Sequence, residues 1–525
     1  MTKRGQATKR AASLANIIIA GLGGLSIHYA TNWGVWAFSD SASYFSAARN
    51  LIEGRGMIIQ EAGGGIVYFQ QFPPLYPLAL GAAGWLSGDF FSAARWINIL
   101  AFSLFLYLTG KLMLELTQHS PVGLAAPLLL LVSPVMVECF SGAMTEPIFF
   151  VLMMLSLLLV SRLLKEANAL TKTAYIAVSM LLPLTRYAGL ALVAANTLIL
   201  LAFSNQPFWK RISRSFISLV LIVLPILLWV AHLYSITGRI GGRHVVINAS
   251  ILDNFHHGIS EMIAVLKTYL PYAGLYESLI PSSTRLILFC CALIFLVGVC
   301  IWLITKKRAE EQFARAALGK YLSFPIHLLV FLAFIGTSYS LTKRSYVIDQ
   351  RQLAPLIPMT ILLWTYSFHI LFQGLTRLRW PAAALLSFIF LLTLRYNFFI
   401  SRSLIKDLHR DGYGYTSREY QTSGFIDALQ EIPQEKRIIS NAAGFVLLYD
   451  NRMPIQIDQF HQRMYGSGDA YGEAIFREKG AALVIIKPDF NNYYGEGAEE
   501  LYSALTNGLR CFYEDQAGAI FYYPK

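Results

Sequence analysis

The stretch Leu14–Ile52, LANIIIAGLGGLSIHYATNWGVWAFSDSASYFSAARNLI, joins a long apolar run to an acidic residue and an amphipathic segment. Residues 14–37 are apolar over a length sufficient for a helix to cross a bilayer. Asp40 follows at once, at the head of the amphipathic segment. The apolar residues of that segment recur at helical spacing: Tyr44, Phe45, Ala48, Leu51 and Ile52. The pattern predicts a membrane anchor, a carboxylate at the membrane surface, and an interfacial helix whose apolar face contacts lipid tails.

The composition extends this membrane interpretation to most of the chain. Of the 525 residues, 55% are hydrophobic and only 14% are charged, and the mean hydropathy is +0.49, which excludes an ordinary soluble domain. Apolar windows of suitable length predict about eleven transmembrane helices. They lie near residues 14–37, 92–115, 122–138, 147–163, 173–185, 187–204, 215–235, 284–305, 321–340, 353–373 and 380–400.

The positions of the basic residues predict the orientation of these helices. Lysines and arginines precede the first span and recur in alternate loops, so the positive-inside rule places the N-terminus in the cytoplasm. Five segments then lie outside: the loop 38–91, the turn before Glu146, the loop near 236–283, the segment 341–352 and everything after 401. The net charge of +12 lies mostly in short cytoplasmic loops, where anionic lipid headgroups explain it better than nucleic acid does.

After residue 400 the apolar runs give way to a mixed, charged sequence. Short strands are predicted at 437–440, 482–486 and 520–523, and helices at 418–430 and 497–507. We therefore predict two parts, a transmembrane part at 1–400 that includes outer loop 38–91 and its interfacial helices, and a small extracytoplasmic α/β domain at 401–525.

Four motifs follow one another on the predicted outer face. They are Asp40 with Tyr44 four residues later, YFQQFPPLYP at Tyr68–Pro77, TEPIFF at Thr145–Phe150, and DQRQLAPLIP at Asp349–Pro358. In this order they resemble the GT-C class of integral-membrane glycosyltransferases, and are similar to lipid A aminoarabinose transferases and protein O-mannosyltransferases. The resemblance covers the first 400 residues.

The resemblance implies a GT-C-like catalytic domain in which Asp40 is the catalytic base and Glu146 is a second acidic residue at the outer end of a span. The proline-rich motif resembles the entry to an interfacial or membrane helix. One departure concerns the donor: aminoarabinose transferases carry Glu-Lys just before the proline pair, where this chain has Gln71 and Phe72. The missing lysine argues against the donor of that particular enzyme.

The residues themselves suggest how such a transfer could proceed. A polyprenyl-phosphate sugar needs a base for the acceptor hydroxyl and a cation for the departing phosphate, and one displacement inverts the anomeric centre. We expect Asp40 and Glu146 to be catalytic. The cations expected at the phosphate are Arg351 and Arg243, followed by Arg186, Lys343 and Arg344. The residues expected in the donor or acceptor pocket are Tyr44, Tyr68, Gln70, Gln71 and Tyr76. No cofactor is required, and a divalent metal is compatible with the chemistry but indicated by no ligand pattern.

Each charged candidate also has a structural interpretation. Asp40 precedes a helix and could be its N-cap, and Glu146 could complement a helix dipole at the start of a span. Arg186 could mark an interfacial turn, and Arg351 could simply pair with Asp349.

The function predicted from these residues is a multi-pass glycosyltransferase of the cytoplasmic (inner) membrane of the cell envelope. It would move a sugar from a polyprenyl phosphate to a lipid, glycan or protein acceptor at the outer face. The alternative is a transporter or flippase of lipid-linked sugars, for which inverted repeats and charged helices at mid-membrane are expected. A third possibility is a catalytically silent assembly subunit, in which the acidic positions would tolerate substitution.

Overall fold

The computed structural model describes residues 3–62, 64–118, 121–166, 168–239, 251–268, 281–307, 311–341, 348–374, 379–457 and 481–522. The first half contains α1 Lys3–Ala30, α2 Ser39–Ile52, β1 Ile58–Glu61, β2 Ile66–Tyr68, α3 Leu75–Ser87, α4 Phe90–Leu116, α5 Ala125–Leu131, α6 Pro134–Ser141, α7 Glu146–Lys165, α8 Ala169–Thr185, α9 Gly189–Phe203, α10 Phe208–Thr237 and α11 Ile251–Thr268.

The second half begins with five further helices and ends in a mixed α/β region. The helices are α12 Ser282–Lys307, α13 Glu311–Ser340, α14 Gln350–Leu353, α15 Leu356–Gly374 and the long α16 Arg379–Asp411. The mixed region contains α17 Arg418–Gln421, α18 Phe425–Gln430, β3 Ile438–Ser440, α19 Ala443–Asp450, β4 Arg452–Met453, β5 Ile455–Gln456, β6 Ala482–Ile486, α20 Lys487–Tyr494, α21 Ala498–Thr506, β7 Arg510–Glu514 and β8 Gly518–Tyr522.

Eight helices of the described chain are long and apolar enough to cross a membrane, which confirms a polytopic helical protein. The predicted span 122–138 is a bent pair, α5 and α6, whose axes meet at 58°. The predicted spans 173–185 and 187–204 correspond to α8 and α9, which have 17 and 15 residues. At about 1.5 Å per residue both helices are shorter than the ~30 Å apolar core of a bilayer, so the structure does not confirm eleven full spans.

The amphipathic helix α2 was predicted to face lipid tails, and this expectation is wrong. Tyr44, Phe45 and Ala48 are buried inside the protein, where α2 packs between α3 and α19 of the C-terminal region. Ile52, at the end of the helix, is exposed. The periodicity correctly identified the apolar face, but another part of the chain covers it.

Two sheets organise the C-terminal region and connect it to the loop after α1. The larger sheet has the strand order β5-β3-β6-β8-β7, with β5, β3 and β6 parallel and β8 antiparallel to β6 and to β7. The smaller has the order β2-β1-β4, in which β1 of the outer loop pairs in parallel with β4. The three predicted strands are present, and the predicted helix 418–430 is divided into α17 and α18.

The last long helix, α16, continues to Asp411, so the division proposed at residue 400 falls inside it. Beyond α16, the C-terminal region and the loop 38–91 share one hydrophobic cluster, which includes Phe45 and Tyr76 on one side and Phe445 and Val446 on the other. The loop after α1 and the C-terminal region therefore lie at the same end of the helical bundle.

Candidate active site

A short backbone pairing attaches the segment before Asp40 to the segment before Glu146. The Trp36 amide donates to the Ser141 carbonyl at 3.0 Å, and the Ala143 amide donates to the Trp36 carbonyl at 2.8 Å. The indole nitrogen of Trp36 also donates to the Glu138 carbonyl at 3.0 Å. These bonds place the start of α2 beside the start of α7, although the two are about a hundred residues apart in sequence.

Gly142 allows this pairing because its position leaves no room for a side chain. A Cβ atom there would overlap the six-membered ring of the Trp36 indole. The Gly142 carbonyl accepts a 2.6 Å bond from the buried Asn98 amide of α4, which holds the segment from the other side. Residues 141–145 thus form an irregular buried turn between α6 and α7 whose backbone groups are bonded.

Asp40 lies in the first turn of α2 but is not its N-cap. The helix begins at Ser39 with Phe38 as its cap residue, and the Phe38 amide donates to the Ser41 hydroxyl at 3.2 Å. The interpretation of Asp40 as a helix cap is therefore wrong. The carboxylate is half-buried, and no group in the described part of the chain forms a hydrogen bond or ion pair with it.

Glu146 and Arg186 form a buried ion pair. Glu146 is 2% exposed at the start of α7, and its Oε1 lies 2.5 Å from Nη1 of Arg186. Arg186 belongs to the turn between the short helices α8 and α9, and its guanidinium lies 5.9 Å from the centre of the Phe149 ring. The Thr145 hydroxyl donates to the other Glu146 oxygen at 3.3 Å. Glu146 and Arg186 were both predicted for the site, and in the structure they form an ion pair with each other.

Arg351 pairs with Asp349, as its structural interpretation predicted. The distance from Nη2 to Oδ2 is 3.0 Å, and Asp349 also caps α14 by accepting from the Gln352 amide. The Arg351 guanidinium lies 5.7 Å from a ring centre of Trp36, and the Arg351 side chain is 28% exposed. It therefore remains accessible to a ligand beside the start of α2.

The four charged groups of these two pairs all act electrostatically on Asp40. Burial raises the pKa of the Asp40 carboxyl above its usual range. The positive charges of Arg351 and Arg186 oppose this rise, and the negative charges of Glu146 and Asp349 add to it. Asp40 thus lies in a cluster of charges in which the other two carboxylates each bond an arginine.

Tyr44 and Tyr76 lie in the same region, with ring centres 5.1 Å apart. Both are buried, and the Tyr76 hydroxyl has no hydrogen-bond partner among the described residues. Burial raises the pKa of both phenols, and the charge of Glu146 contributes to each. Two neutral hydroxyl groups therefore lie within electrostatic range of the acidic residues.

The other predicted pocket residues come from the segment after β1. Tyr68 ends β2 and is 42% exposed, and Gln71 is exposed on the loop that follows. Gln70 is partly buried, and its side-chain oxygen has no partner among the described residues. The structure thus places Tyr68 and Gln71 at the surface, whereas Tyr44 and Tyr76 are buried near the charged cluster.

Three of the predicted phosphate-binding cations, Arg243, Lys343 and Arg344, lie outside the described residues. Glu138 was not predicted, although it lies on α6 within electrostatic range of Arg351 and Asp349. A carboxylate near the end of an apolar run was the available sequence signal.

No family model matches the sequence, and no curated protein sequence matches it. Solved structures match over almost the whole chain. ArnT from Cupriavidus metallidurans bound to undecaprenyl phosphate is 12% identical, with a TM-score of 0.57 over 96% of this chain and 97% of that one. Its apo structure is 11% identical, with a TM-score of 0.56 over 97% of this chain and 98% of that one.

A second match is the archaeal oligosaccharyltransferase AglB from Archaeoglobus fulgidus, in complex with an inhibitory peptide and a dolichol-phosphate. It is 12% identical, with a TM-score of 0.54 over 98% of this chain and 74% of that one. ArnT and AglB are GT-C glycosyltransferases. At this identity the likeness shows the fold, and the GT-C fold predicted from the sequence motifs is confirmed.

Proposed function

We propose that this GT-C-fold protein is a glycosyltransferase that moves a sugar from a polyprenyl-phosphate donor to an acceptor hydroxyl at the outer face of the cytoplasmic membrane. The observation that carries the proposal is the state of Asp40. It is a half-buried carboxylate without a bond to any described residue, and the two carboxylates that act on it, Glu146 and Asp349, each pair with an arginine. Two solved structures with this fold are described as bound to a polyprenyl phosphate or a dolichol-phosphate, which supports the donor class.

Asp40 is the base in the proposed mechanism. Its ionised carboxylate accepts the proton of the acceptor hydroxyl as the hydroxyl oxygen attacks the anomeric carbon. The attack comes from the side opposite the phosphate, the bond between the anomeric carbon and the phosphate oxygen breaks, and the bonding electrons leave with the phosphate. The products are a glycoside of inverted configuration and a polyprenyl phosphate. A raised pKa makes Asp40 a stronger base once it is ionised.

Arg351 is the described residue best suited to bind the departing phosphate. Its guanidinium is partly exposed and shares only one oxygen of Asp349, so other donors remain for an anion. Arg186 forms a buried ion pair with Glu146, so it is less free than Arg351 to bind the phosphate. The positions of Arg243, Lys343 and Arg344 in the sequence keep them in the proposal as further phosphate ligands.

The outer location rests on the distribution of basic residues. Lysines and arginines cluster before α1 and in alternate loops, which places the N-terminus in the cytoplasm by the positive-inside rule. Since α2 packs against α19, the C-terminal region lies on the same side as Asp40. The extracytoplasmic assignment of both regions therefore depends on a single topology, which reporter fusions at residues 1 and 525 can test.

Mass spectrometry of the envelope lipids and glycans tests the proposed function. A deletion strain is expected to lose one glycosylated species and to accumulate both its unmodified acceptor and the polyprenyl-phosphate sugar. A plasmid copy of the wild type restores the product, whereas an Asp40→Asn copy expressed at the same level does not. The control is Asp407→Asn, which changes an exposed aspartate on α16 whose side chain is 59% accessible.

Two outcomes would contradict the proposal. Equal restoration by Asp40→Asn and by the wild type removes the base assignment and agrees with a silent subunit. In the second outcome, membranes isolated from the deletion strain still form the product when donor is supplied on their outer side, and donor accumulates on the inner side of deletion cells. The protein would then be a flippase.

A further inference from the structure

A polar cleft lies on the C-terminal region and reaches the start of α2. Three adjoining cavities form it, with volumes of about 660, 340 and 780 Å³. The first lies between Phe38 and the segment 411–422, and all three are lined by Asn492 of α20. Asp489 lines the first two, so the cavities form one continuous surface. Phe38 is two residues before Asp40, which places one end of the cleft next to the candidate active site.

Exposed aromatic rings line two of these cavities. Tyr413 lines the cavity beside Phe38 and is 53% exposed, and its ring lies edge-on to Phe38 with centres 5.2 Å apart. Tyr493 lines the cavity of about 340 Å³ and is 70% exposed, with its ring 4.9 Å from that of Tyr494. A stable fold gains little by exposing tyrosine rings in a concave surface, whereas a ligand with flat apolar faces can stack on them.

Polar groups of the lining lie near these rings. Asp489 and Glu419 carry carboxylates that form no hydrogen bond or ion pair with any described residue. Burial raises the pKa of Asp489, and the neighbouring charge of Glu419 adds to the rise. The Asn492 amide is exposed toward the cleft. By contrast, Asn441 at the edge bonds the backbone of Ile486 with both its amide nitrogen and its oxygen, so it serves the fold.

The charges of the lining favour some ligands over others. Lys487 pairs with Glu514 at 2.8 Å, and Arg418 lies 5.8 Å from a ring centre of Trp33. Both described cations of the lining therefore already have a contact within the protein. Asp489 and Glu419 remain as acceptors for hydroxyl or amino groups. An anionic ligand would be repelled by both carboxylates.

We propose that this cleft, defined by Tyr413, Glu419, Asp489, Asn492 and Tyr493, binds the carbohydrate portion of the acceptor, and that it accepts neutral or amino sugars rather than acidic ones. Sugar hydroxyl groups donate to the carboxylates and accept from the Asn492 amide. The C–H faces of the rings stack on the exposed tyrosines. The role as an acceptor site rests on the proposed glycosyltransferase function, but carbohydrate binding itself does not.

The test is direct binding, with no donor lipid present. The full-length wild type in nanodiscs is applied to a printed array of neutral, amino-bearing and acidic oligosaccharides, and the strongest binder is then titrated. We expect a neutral or amino-bearing oligosaccharide to bind, and Tyr493→Ala, Asp489→Asn and Asn492→Ala each to weaken it about tenfold. The matched controls are Phe512→Ala and Asn507→Ala, which change exposed residues outside the cleft and should bind within about twofold of the wild type.

Three results would overturn the inference. An acidic oligosaccharide as the strongest binder contradicts the charge argument. Binding of a hexalysine peptide that is lost in the same variants, without sugar binding, assigns a site for cationic peptides. Sugar binding that is absent, or equal in cleft and control variants, removes the site. None of these depends on transfer, so failure of the cleft leaves the Asp40 experiment intact, and an inactive Asp40→Asn enzyme should still bind the oligosaccharide.

Discussion

Three carboxylates lie close together in the candidate site, but their bonding differs. Glu146 bonds Arg186 and Asp349 bonds Arg351, whereas Asp40 bonds no described group. One oxygen of Glu146 and one oxygen of Asp349 are thus already engaged by an arginine. Asp40 is raised in pKa by burial and is therefore the member of the set best able to accept a proton.

The pH dependence of transfer should shift in opposite directions in two variants. Activity needs ionised Asp40, so kcat/KM falls as the pH drops through its raised pKa. Removing the positive charge with Arg351→Met raises that pKa further and moves the acid limb to higher pH. Removing a negative charge with Glu146→Gln lowers the pKa and moves the limb to lower pH. Kinetics of purified enzyme in nanodiscs between about pH 4 and 8 measure both shifts.

The control for these profiles is Glu53→Gln, which changes a half-exposed carboxylate at the end of α2. Its acid limb should coincide with that of the wild type. Shifts of the same sign in Arg351→Met and Glu146→Gln would show that the two residues act through the fold and not through the charge of Asp40.

Sequence reasoning identified the charged residues of this site and the pair of Arg351 with Asp349, but not the pair of Glu146 with Arg186. Asp40, Glu146, Arg186 and Arg351 each stand at the end of an apolar run, where a charge is unexpected. The bond between Glu146 and Arg186 joins residues 40 positions apart, and no local pattern encodes such a contact. Glu138 was missed because its neighbours are apolar and its helix was taken as part of one straight span.

The connection between α2 and α7 depends on the turn after α6. Trp36 pairs with residues 141–143 through backbone bonds, and its indole covers Gly142. The turn therefore determines where Asp40 lies relative to Glu146. A shift of about an ångström here would separate the base from its electrostatic partners.

Gly142→Ala should lower the transfer rate by at least about tenfold and destabilise the protein by about 1–3 kcal/mol, because the added methyl group displaces Trp36. Thermal unfolding in detergent and single-turnover transfer measure the two effects. The matched control is Gly298→Ala on α12, where a Cβ meets nothing within 4 Å. Equal transfer rates and equal unfolding temperatures of the two variants would show that the turn does not position the site.

Hydropathy and helical periodicity predicted most of the elements, since apolar length and the 3.6-residue repeat are local properties of the chain. The bend between α5 and α6 escaped the prediction. The burial of α2 also escaped it, because periodicity shows which side of a helix is apolar and not what covers that side. In this protein α19 covers it, about 400 residues later in the sequence.

At the scale of the whole molecule, the contact between α2 and α19 joins the loop after α1 to the C-terminal region. Arg49 of α2 donates to the Leu448 carbonyl of α19 at 2.6 Å. Its guanidinium lies 5.8 to 5.9 Å from the ring centres of Phe45, Phe90 and Phe91. Together with the pairing of β1 with β4, this contact makes the loop after α1 depend on the C-terminal region for its position.

Arg49→Ala should destabilise this contact by about 2–4 kcal/mol, since it removes a charged hydrogen bond and several ring contacts. Hydrogen exchange should accelerate in α2 and α19 together, and stay unchanged in α4. The control is Arg395→Ala on α16, an exposed arginine 5.7 Å from the Phe399 ring centre. Faster exchange in α19 alone would mean that the two regions are independent.

The most direct measurement of the central claim is single-turnover transfer by Asp40→Asn from a polyprenyl-phosphate sugar, alongside binding of the same donor. We predict a fall of about 10² to 10⁴-fold in the transfer rate, with donor affinity within about twofold of the wild type. A transfer rate equal to that of the wild type would contradict the assignment of Asp40 as the base and, with it, the proposed mechanism.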